Sequence, residues 1–264
     1  MIPFSSQPQA SDPQPLLIIG GGNMGLALAV RWRQWSPLVV EPSSLRRGIL
    51  KDESIESIES LSSLTITPRV VVLAVKPQNY APIKPELMKW SGDTLVISIM
   101  AGIALNALPK NTVRVMPNTP ALIGQGMSVC CGPLIDAHSR RITHDLFAAA
   151  GEVCWVEDEA LMHAVTAISG SGPAYVFAFM EALEHAAMHL GLDAQTAHLL
   201  VKQTLFGAVS MANLPFADPA KLREQVTSKG GTTEAALSVL LQQLQTLIDA
   251  TTQAAVTRSK VLFT

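Results

Sequence analysis

Three short stretches carry residue types and spacings suited to binding chemistry. Gly20-Gly-Gly-Asn-Met-Gly25 contains the G-x-G-x-x-G spacing at Gly20, Gly22 and Gly25. Glycine permits a tight turn and lets backbone come close to a pyrophosphate, while the start of the following helix offers free amides and a positive dipole end. Val226-Thr-Ser-Lys-Gly-Gly-Thr-Thr233 places two glycines and two threonines just before a helical run. Gly230, Gly231, Thr232 and Thr233 offer successive N–H groups to an anion such as a carboxylate, with no basic side chain required. Ser169-Gly-Ser-Gly-Pro-Ala-Tyr175 stacks small residues ahead of a second helix and reads as a compact turn.

These stretches need elements to hold them. Leu16-Leu-Ile-Ile-Gly20 is a continuous apolar run, as expected of a strand buried on both faces. A helix to about Trp35 follows the glycine turn, with Met24, Leu28 and Trp32 in helical phase. Further strands are expected at 38–41, 70–75, 94–99, 113–116, 127–131 and 153–156. A helical stretch holds Leu87 and Trp90, and a helix lies near 136–150. Residues 42–62 are polar, serine-rich and unassigned. Strand alternating with helix predicts a parallel sheet covered on both faces. Strand signals stop after about 160. Helices are expected at 173–190 and 194–212, then from Asp218-Pro219, then over 233–261 as one long helix. The fold class is α/β: a Rossmann-type dinucleotide-binding domain (15–160), then an all-α dimerisation domain (161–264). Residues 1–14 read as a disordered tail.

Composition bounds the function. The chain has 264 residues, 48% apolar and 15% charged, with a net charge of −2. No basic block appears, which argues against nucleic acid or an anionic membrane surface as partner. No apolar run approaches the ~18 residues of a membrane span, and no signal-peptide pattern is present, so a cytoplasmic enzyme is expected. Cys130, Cys131 and Cys154 are expected to be buried, reduced thiols. His185 and His189 lie four apart, but the acid of a zinc-protease helix is missing and no metal site is expected.

Glu41 ends the second strand, where an acid can accept from the adenosine ribose 2′-OH and so make NADH usable. Arg46 and Arg47 follow closely and suit the 2′-phosphate of NADP, so the sequence leaves NADP and NAD both open.

The loops at 169–175 and 226–233 together closely resemble the signature of the pyrroline-5-carboxylate reductase family. Leu73-Ala-Val-Lys-Pro-Gln78, Ser98-Ile-Met-Ala-Gly102, Arg114-Val-Met-Pro-Asn-Thr-Pro120, Gln203-Thr204, Gly207-Ala208 and Leu222-Arg223 match in order. The resemblance covers nearly all of residues 16–262. It implies reduction of the C=N bond of 1-pyrroline-5-carboxylate to L-proline by NAD(P)H, the last step of proline biosynthesis. It implies a homodimer through the C-terminal helices and assembly into a decamer. It places cofactor contacts at Ile19, Gly20, Gly22, Asn23, Met24, Gly25, Ala74, Val75, Lys76, Pro77 and Ala101. Glu159 falls near the product, and the substrate loop includes Thr232 and Thr233. Lys229 departs from the family, which usually has proline there.

Within that reading, Thr233 is the candidate catalytic residue. Its hydroxyl would hydrogen-bond the imine nitrogen, which gains electron density and a proton as hydride arrives. The competing role is a plain helix cap. Lys76 is either a cofactor contact or a solvated strand-end lysine. Two other functions stay open: a reductase of a related cyclic imine acid, and a non-catalytic NAD(P)-binding protein. A hydroxy-acid relative would need a catalytic lysine, for which Lys202 is a candidate by type alone.

Overall fold

The structure is a computed structural model that describes residues 15–64, 66–90, 92 and 94–262. The tail expected at 1–14 lies outside the described residues. In chain order the elements begin β1 (Leu16–Ile19), α1 (Asn23–Arg31), β2 (Leu38–Val40), α2 (Ser44–Asp52), β3 (Glu56–Ile58), β4 (Val70–Leu73), α3 (Lys84–Leu87) and β5 (Leu95–Ser98). Then come β6 (Thr112–Met116), β7 (Gly126–Cys131), α4 (Ala137–Ala148), β8 (Gly151–Val156) and α5 (Met162–Val165). The helices α6 (Gly172–His189), α7 (Ala194–Ala212), α8 (Pro219–Gln225), α9 (Thr232–Leu240) and α10 (Leu244–Val261) complete the chain.

The eight strands form one sheet in the order β3-β2-β1-β4-β5-β6-β7-β8. The apolar run of β1 is explained by its central place. Leu16 and Ile18 join Leu28 and Trp32 on one face, while Leu17 and Ile19 join Val40, Leu73 and Leu87 on the other. Each such side chain contributes about 1.5–3 kcal/mol by leaving water. Trp32 donates its indole N–H to Leu146 O at 2.6 Å and meets Phe147 edge-on at 5.2 Å, which ties α1 to α4.

All strand pairs are parallel except β6 with β7, which is antiparallel. The connection between them is only the short 3₁₀ turn Thr119–Ile123. A parallel return needs a crossover of a dozen or more residues, which this stretch cannot supply. The unassigned serine-rich stretch contains α2 and β3. Ser43 caps α2, its Oγ accepting the Arg46 N–H, and β3 adds an edge strand of three residues.

The chain divides into two compact units. One runs to Gly170 and takes back the chain from Val256 onward; the other is Ser171–Ala255. The boundary expected at 160 therefore precedes this division by one short helix and a π-turn, Thr166–Gly170. The long helix expected over 233–261 is two helices. No glycine or proline interrupts it. Instead the Gln242 and Gln243 amides bond three residues back, to Val239 O and Leu240 O, and the tightened turn ends α9 before α10 begins.

Among the described residues of 171–255, only Ala197 and Val201 are buried apolar side chains. Phe177, Phe179, Leu199, Phe206 and Val209 are exposed. A helical unit with so little interior cannot stabilise itself by its own core.

Cys130 and Cys131 are buried, but Cys154 is exposed, contrary to expectation. Alternation along β8 turns Cys154 outward, because its burial falls on every second residue at 151–154. Burial pushes the Cys130 and Cys131 thiols up, Cys131 to about 11, so both stay protonated near neutrality.

Candidate functional site

The glycine turn sits at the carboxyl end of β1, between β2 and β4. Chain connections run outward from β1 in opposite directions there, and such switch points open a crevice in parallel sheets. Three of its glycines have different physical tasks. Gly20 adopts φ +110°, and a Cβ there would lie 2.6 Å from Ala74 O. A Cβ on Gly25 would lie 2.0 Å from Gly20 O, so only glycine lets α1 start this close to β1. Gly22 faces open space, with nothing within 4 Å of a Cβ. It is the N-cap of α1, with no side-chain cap. The amides of Asn23, Met24 and Gly25 precede the first intrahelical bond, from Leu26 N–H to Gly22 O at 2.8 Å. They form an uncovered anion site at a helix start, which fits a dinucleotide pyrophosphate.

The other expected cofactor residues line the ends of neighbouring strands. Ile19 is buried at the end of β1. Ala74 and Val75 follow β4, where Ala74 N–H extends the ladder to Ile19 O at 2.8 Å. Lys76 is exposed, and Pro77 starts a 3₁₀ turn directly after it. Ala101 follows β5 and is half-buried beside Gly102. Gly102 has φ +80°, and a Cβ there would lie 2.3 Å from Leu262 O. The end of α10 thus closes against the turn after β5, a contact without any sequence signal beyond the glycine itself.

Glu41, directly after β2, has backbone amides on both carboxylate oxygens. Its carboxylate is turned inward: Oε2 accepts Gly21 N–H at 2.8 Å and Oε1 accepts Ser43 N–H at 2.9 Å. Arg46 and Arg47 lie on the first turn of α2, and Arg46 reaches the glycine turn, its Nη1 3.4 Å from Gly21 O.

Glu159 meets Arg114. Oε1 accepts from Arg114 Nη1 at 2.7 Å and from Leu105 N–H at 2.9 Å. The guanidinium is 2% exposed and the carboxylate 26%. The bonds seen at this carboxylate are structural ones, made to a buried cation and a loop amide.

Asn118 ties two of the family-like segments together. Its Oδ1 accepts Met127 N–H at 2.8 Å, and its Nδ2 donates to Ser169 O at 3.3 Å and Ser169 Oγ at 3.4 Å. It joins the Arg114–Pro120 segment to the start of the Ser169–Tyr175 loop. Ser169 and Gly170 belong to the π-turn, an insertion common at functional sites. Nearby, His163 Nδ1 lies 3.0 Å from Ser259 Oγ. Burial lowers the His163 pKa below its usual value, helped by Arg114 and Lys260 and opposed by Glu159.

In the helical unit, Gly231 is the N-cap of α9 and no side chain caps that helix. Thr232 and Thr233 occupy its first two positions, so Thr233 is not a cap. The four-amide nest is also smaller than expected. Gly230, at φ +72°, donates to Glu234 Oε2 at 2.7 Å, and Gly231 donates to Ser228 O at 3.0 Å. The amides of Thr232 and Thr233 stand ahead of the first intrahelical bond, from Ala235 N–H to Gly231 O. Lys229 is exposed beside them.

The sheet order, the switch-point crevice and the uncovered glycine turn define a Rossmann-type dinucleotide-binding fold, here followed by a helical unit. The pyrroline-5-carboxylate reductase dimerisation model matches residues 159–262, and the coenzyme F420-dependent NADP oxidoreductase model matches 15–102. The chain is 42% identical to a pyrroline-5-carboxylate reductase of Pasteurella multocida, over 93% of this chain and 96% of that protein. It is 38% identical to one from Pseudomonas aeruginosa, over 94% and 96%. Among solved structures, a pyrroline-5-carboxylate reductase from Coxiella burnetii superposes with a TM-score of 0.88 at 33% identity, covering 96% of this chain and all of that one. The Plasmodium falciparum enzyme, solved with NADP bound, superposes at 0.83 and 28% identity, over 95% of this chain and 98% of that one. The chain belongs to the pyrroline-5-carboxylate reductase family. Among the described residues, no helix is long and apolar enough to cross a membrane.

Proposed function

We propose that this chain reduces the C=N bond of 1-pyrroline-5-carboxylate to L-proline with NAD(P)H, in the cytoplasm, as the last step of proline biosynthesis. The observation that carries the reading is the 42% identity to a reductase of that name over nearly the whole of both chains. The glycine turn and the α9 start supply two anion sites of the kinds the reaction needs.

The nicotinamide supplies the hydride, so the protein's work is positioning and electrostatics. The amides of Asn23, Met24 and Gly25 hold the pyrophosphate. The turns after β4 and β5, at Ala74–Pro77 and Ala101, border the same crevice. The Thr232 and Thr233 amides take the substrate carboxylate, strengthened by the α9 dipole. Gly230 and Gly231 shape that turn, and their own N–H groups serve the loop. The Thr233 hydroxyl, free of any capping duty, hydrogen-bonds the imine nitrogen and orients it while a proton arrives from water. Glu159 holds Arg114 and the Leu105 turn.

The helical unit forms a homodimer. Its apolar exposed face and the match to a dimerisation model support this, and further assembly of dimers into a decamer belongs to the same reading.

The test is loss of reduced-nicotinamide absorbance when the protein is mixed with pyrroline-5-carboxylate and NADPH. Side-by-side kinetics with the six-membered cyclic imine acid fix the substrate. Faster turnover of the six-membered ring, or none of either, overturns the assignment.

A further inference from the structure

In the sheet, β2 lies on one side of β1, with β4 and β5 on the other. A dinucleotide crosses the crevice at β1 with its adenosine on the β2 side, so its nicotinamide half falls over the ends of β4 and β5. The turn after β5, which carries Ala101, therefore bears on the nicotinamide and not on the adenosine.

That turn is held from several directions. Met100 is buried with Leu17 and Ile19 on one face of the sheet, while Ala101 and Leu105 pack against the cluster of Met116 and Met162 on the other. Glu159 Oε1 accepts Leu105 N–H at 2.9 Å. The end of the chain supplies a further support. Gly102 is buried at φ +80°, and a Cβ there would come 2.3 Å from Leu262 O and 3.2 Å from Leu262 Cβ. The end of α10 is pressed onto Gly102 with no room for a methyl group.

Residues from Val256 onward belong to the same compact unit as the sheet. In the last turn of α10, Arg258, Lys260, Val261 and Leu262 are exposed, whereas Ser259 is only 8% exposed. A buried hydroxyl needs a partner, and His163 Nδ1 lies 3.0 Å from Ser259 Oγ. His163 follows Met162 on α5, so one short helix packs against Ala101 through Met162 and holds α10 through His163.

We propose that Ser259 is a positioning residue for the nicotinamide half of the cofactor. Bonded to His163, it seats the end of α10 on Gly102 and so fixes the turn that carries Ala101. It acts through Gly102 and does not touch the cofactor. The inference rests on the proposed NAD(P)H-dependent reaction, but its test reads binding alone.

The experiment is calorimetric titration of NADPH and of 2′-phospho-ADP-ribose, the same molecule without its nicotinamide ring. Both go into the wild-type protein, Ser259→Ala and Ser259→Thr, each first shown to be folded by its melting curve. Ser259→Ala is expected to weaken NADPH about fivefold, the worth of one hydrogen bond, and to leave the fragment within about twofold. Ser259→Thr keeps the hydroxyl and is expected to recover most of the loss. Unchanged NADPH affinity in Ser259→Ala would overturn the proposal. So would an equal loss for both ligands, because that marks a general loosening of the fold. A Ser259→Thr variant as weak as Ser259→Ala would also overturn it, since the hydroxyl would then not be the cause. Failure of the wild type to bind either ligand would overturn the proposed function itself, and so is distinguishable from failure of the positioning claim.

Discussion

Arg114 Nη1 and Glu159 Oε1 are 2.7 Å apart, and the guanidinium is 2% exposed. A buried cation needs its counter-ion, because removing one partner of a buried pair leaves an uncompensated charge. Glu159→Ala is therefore expected to destabilise the fold by about 3 kcal/mol, at the low end of such losses because Glu159 is partly in water. Urea denaturation measures it. A loss below about 1 kcal/mol would put this pair with ordinary surface ion pairs.

Thr233 separates function from stability. Its hydroxyl caps nothing, since Gly231 is the N-cap and α9 has no side-chain cap. Thr233→Ala is expected to lower kcat/KM at least about tenfold while the unfolding midpoint stays near wild type. Thr233→Ser should keep most activity. Near-normal turnover in the alanine variant would remove the hydroxyl from the chemistry.

Glu234 holds Gly230 N–H at 2.7 Å, next to the amides proposed for the substrate carboxylate. Glu234→Gln keeps an acceptor but removes a like charge. KM for the substrate is expected to fall about threefold. Glu234→Ala also loses the acceptor, and should cost about 1 kcal/mol, the net worth of an ordinary hydrogen bond. Steady-state kinetics and denaturation of the two variants separate charge from bracing.

The glycine turn gives a contrasting pair. Gly25→Ala places a Cβ 2.0 Å from Gly20 O, so backbone must move, and a loss of about 3 kcal/mol is expected. Gly22→Ala meets nothing within 4 Å and should fold normally. It should nevertheless weaken NADPH, because the new methyl stands where the backbone meets the pyrophosphate. Thermal melts with and without cofactor distinguish the two.

His163 predicts a pH effect. Its folded pKa lies below the unfolded value of 6.5, chiefly because burial disfavours the charged ring. Above 6.5 the ring is neutral in both states and costs nothing. As pH falls below 6.5 the unfolded state takes up the proton first, so stability declines until the folded pKa is passed. Denaturation from neutral pH into mild acid should show this fall, and His163→Gln should flatten it.

Much of this was legible in the chain because its signals were local. The run at 16–19 could only be a strand buried on both faces, and the glycines at 20, 22 and 25 announced the turn after it. The break at residues 241–243 was not legible, since it arises from a tightened turn without glycine or proline. Polarity hid α2 and β3, where one edge strand and one exposed helix bury little. The antiparallel β7 followed from a short connection, which periodicity does not measure. Glu41 is the instructive case. Its position suited a ribose acceptor, but its side-chain direction was decided by the Gly21 and Ser43 amides, which only the folded chain brings together. The Arg114–Glu159 pair likewise joins residues far apart in sequence.

The most direct test of the central claim is transfer of label. The protein is incubated with pyrroline-5-carboxylate and NADPH deuterated at nicotinamide C4, and the product is read by mass spectrometry and NMR. The account predicts L-proline carrying deuterium on the ring carbon that borders nitrogen and lies away from the carboxylate. Absence of labelled proline, with the cofactor left reduced, would contradict it.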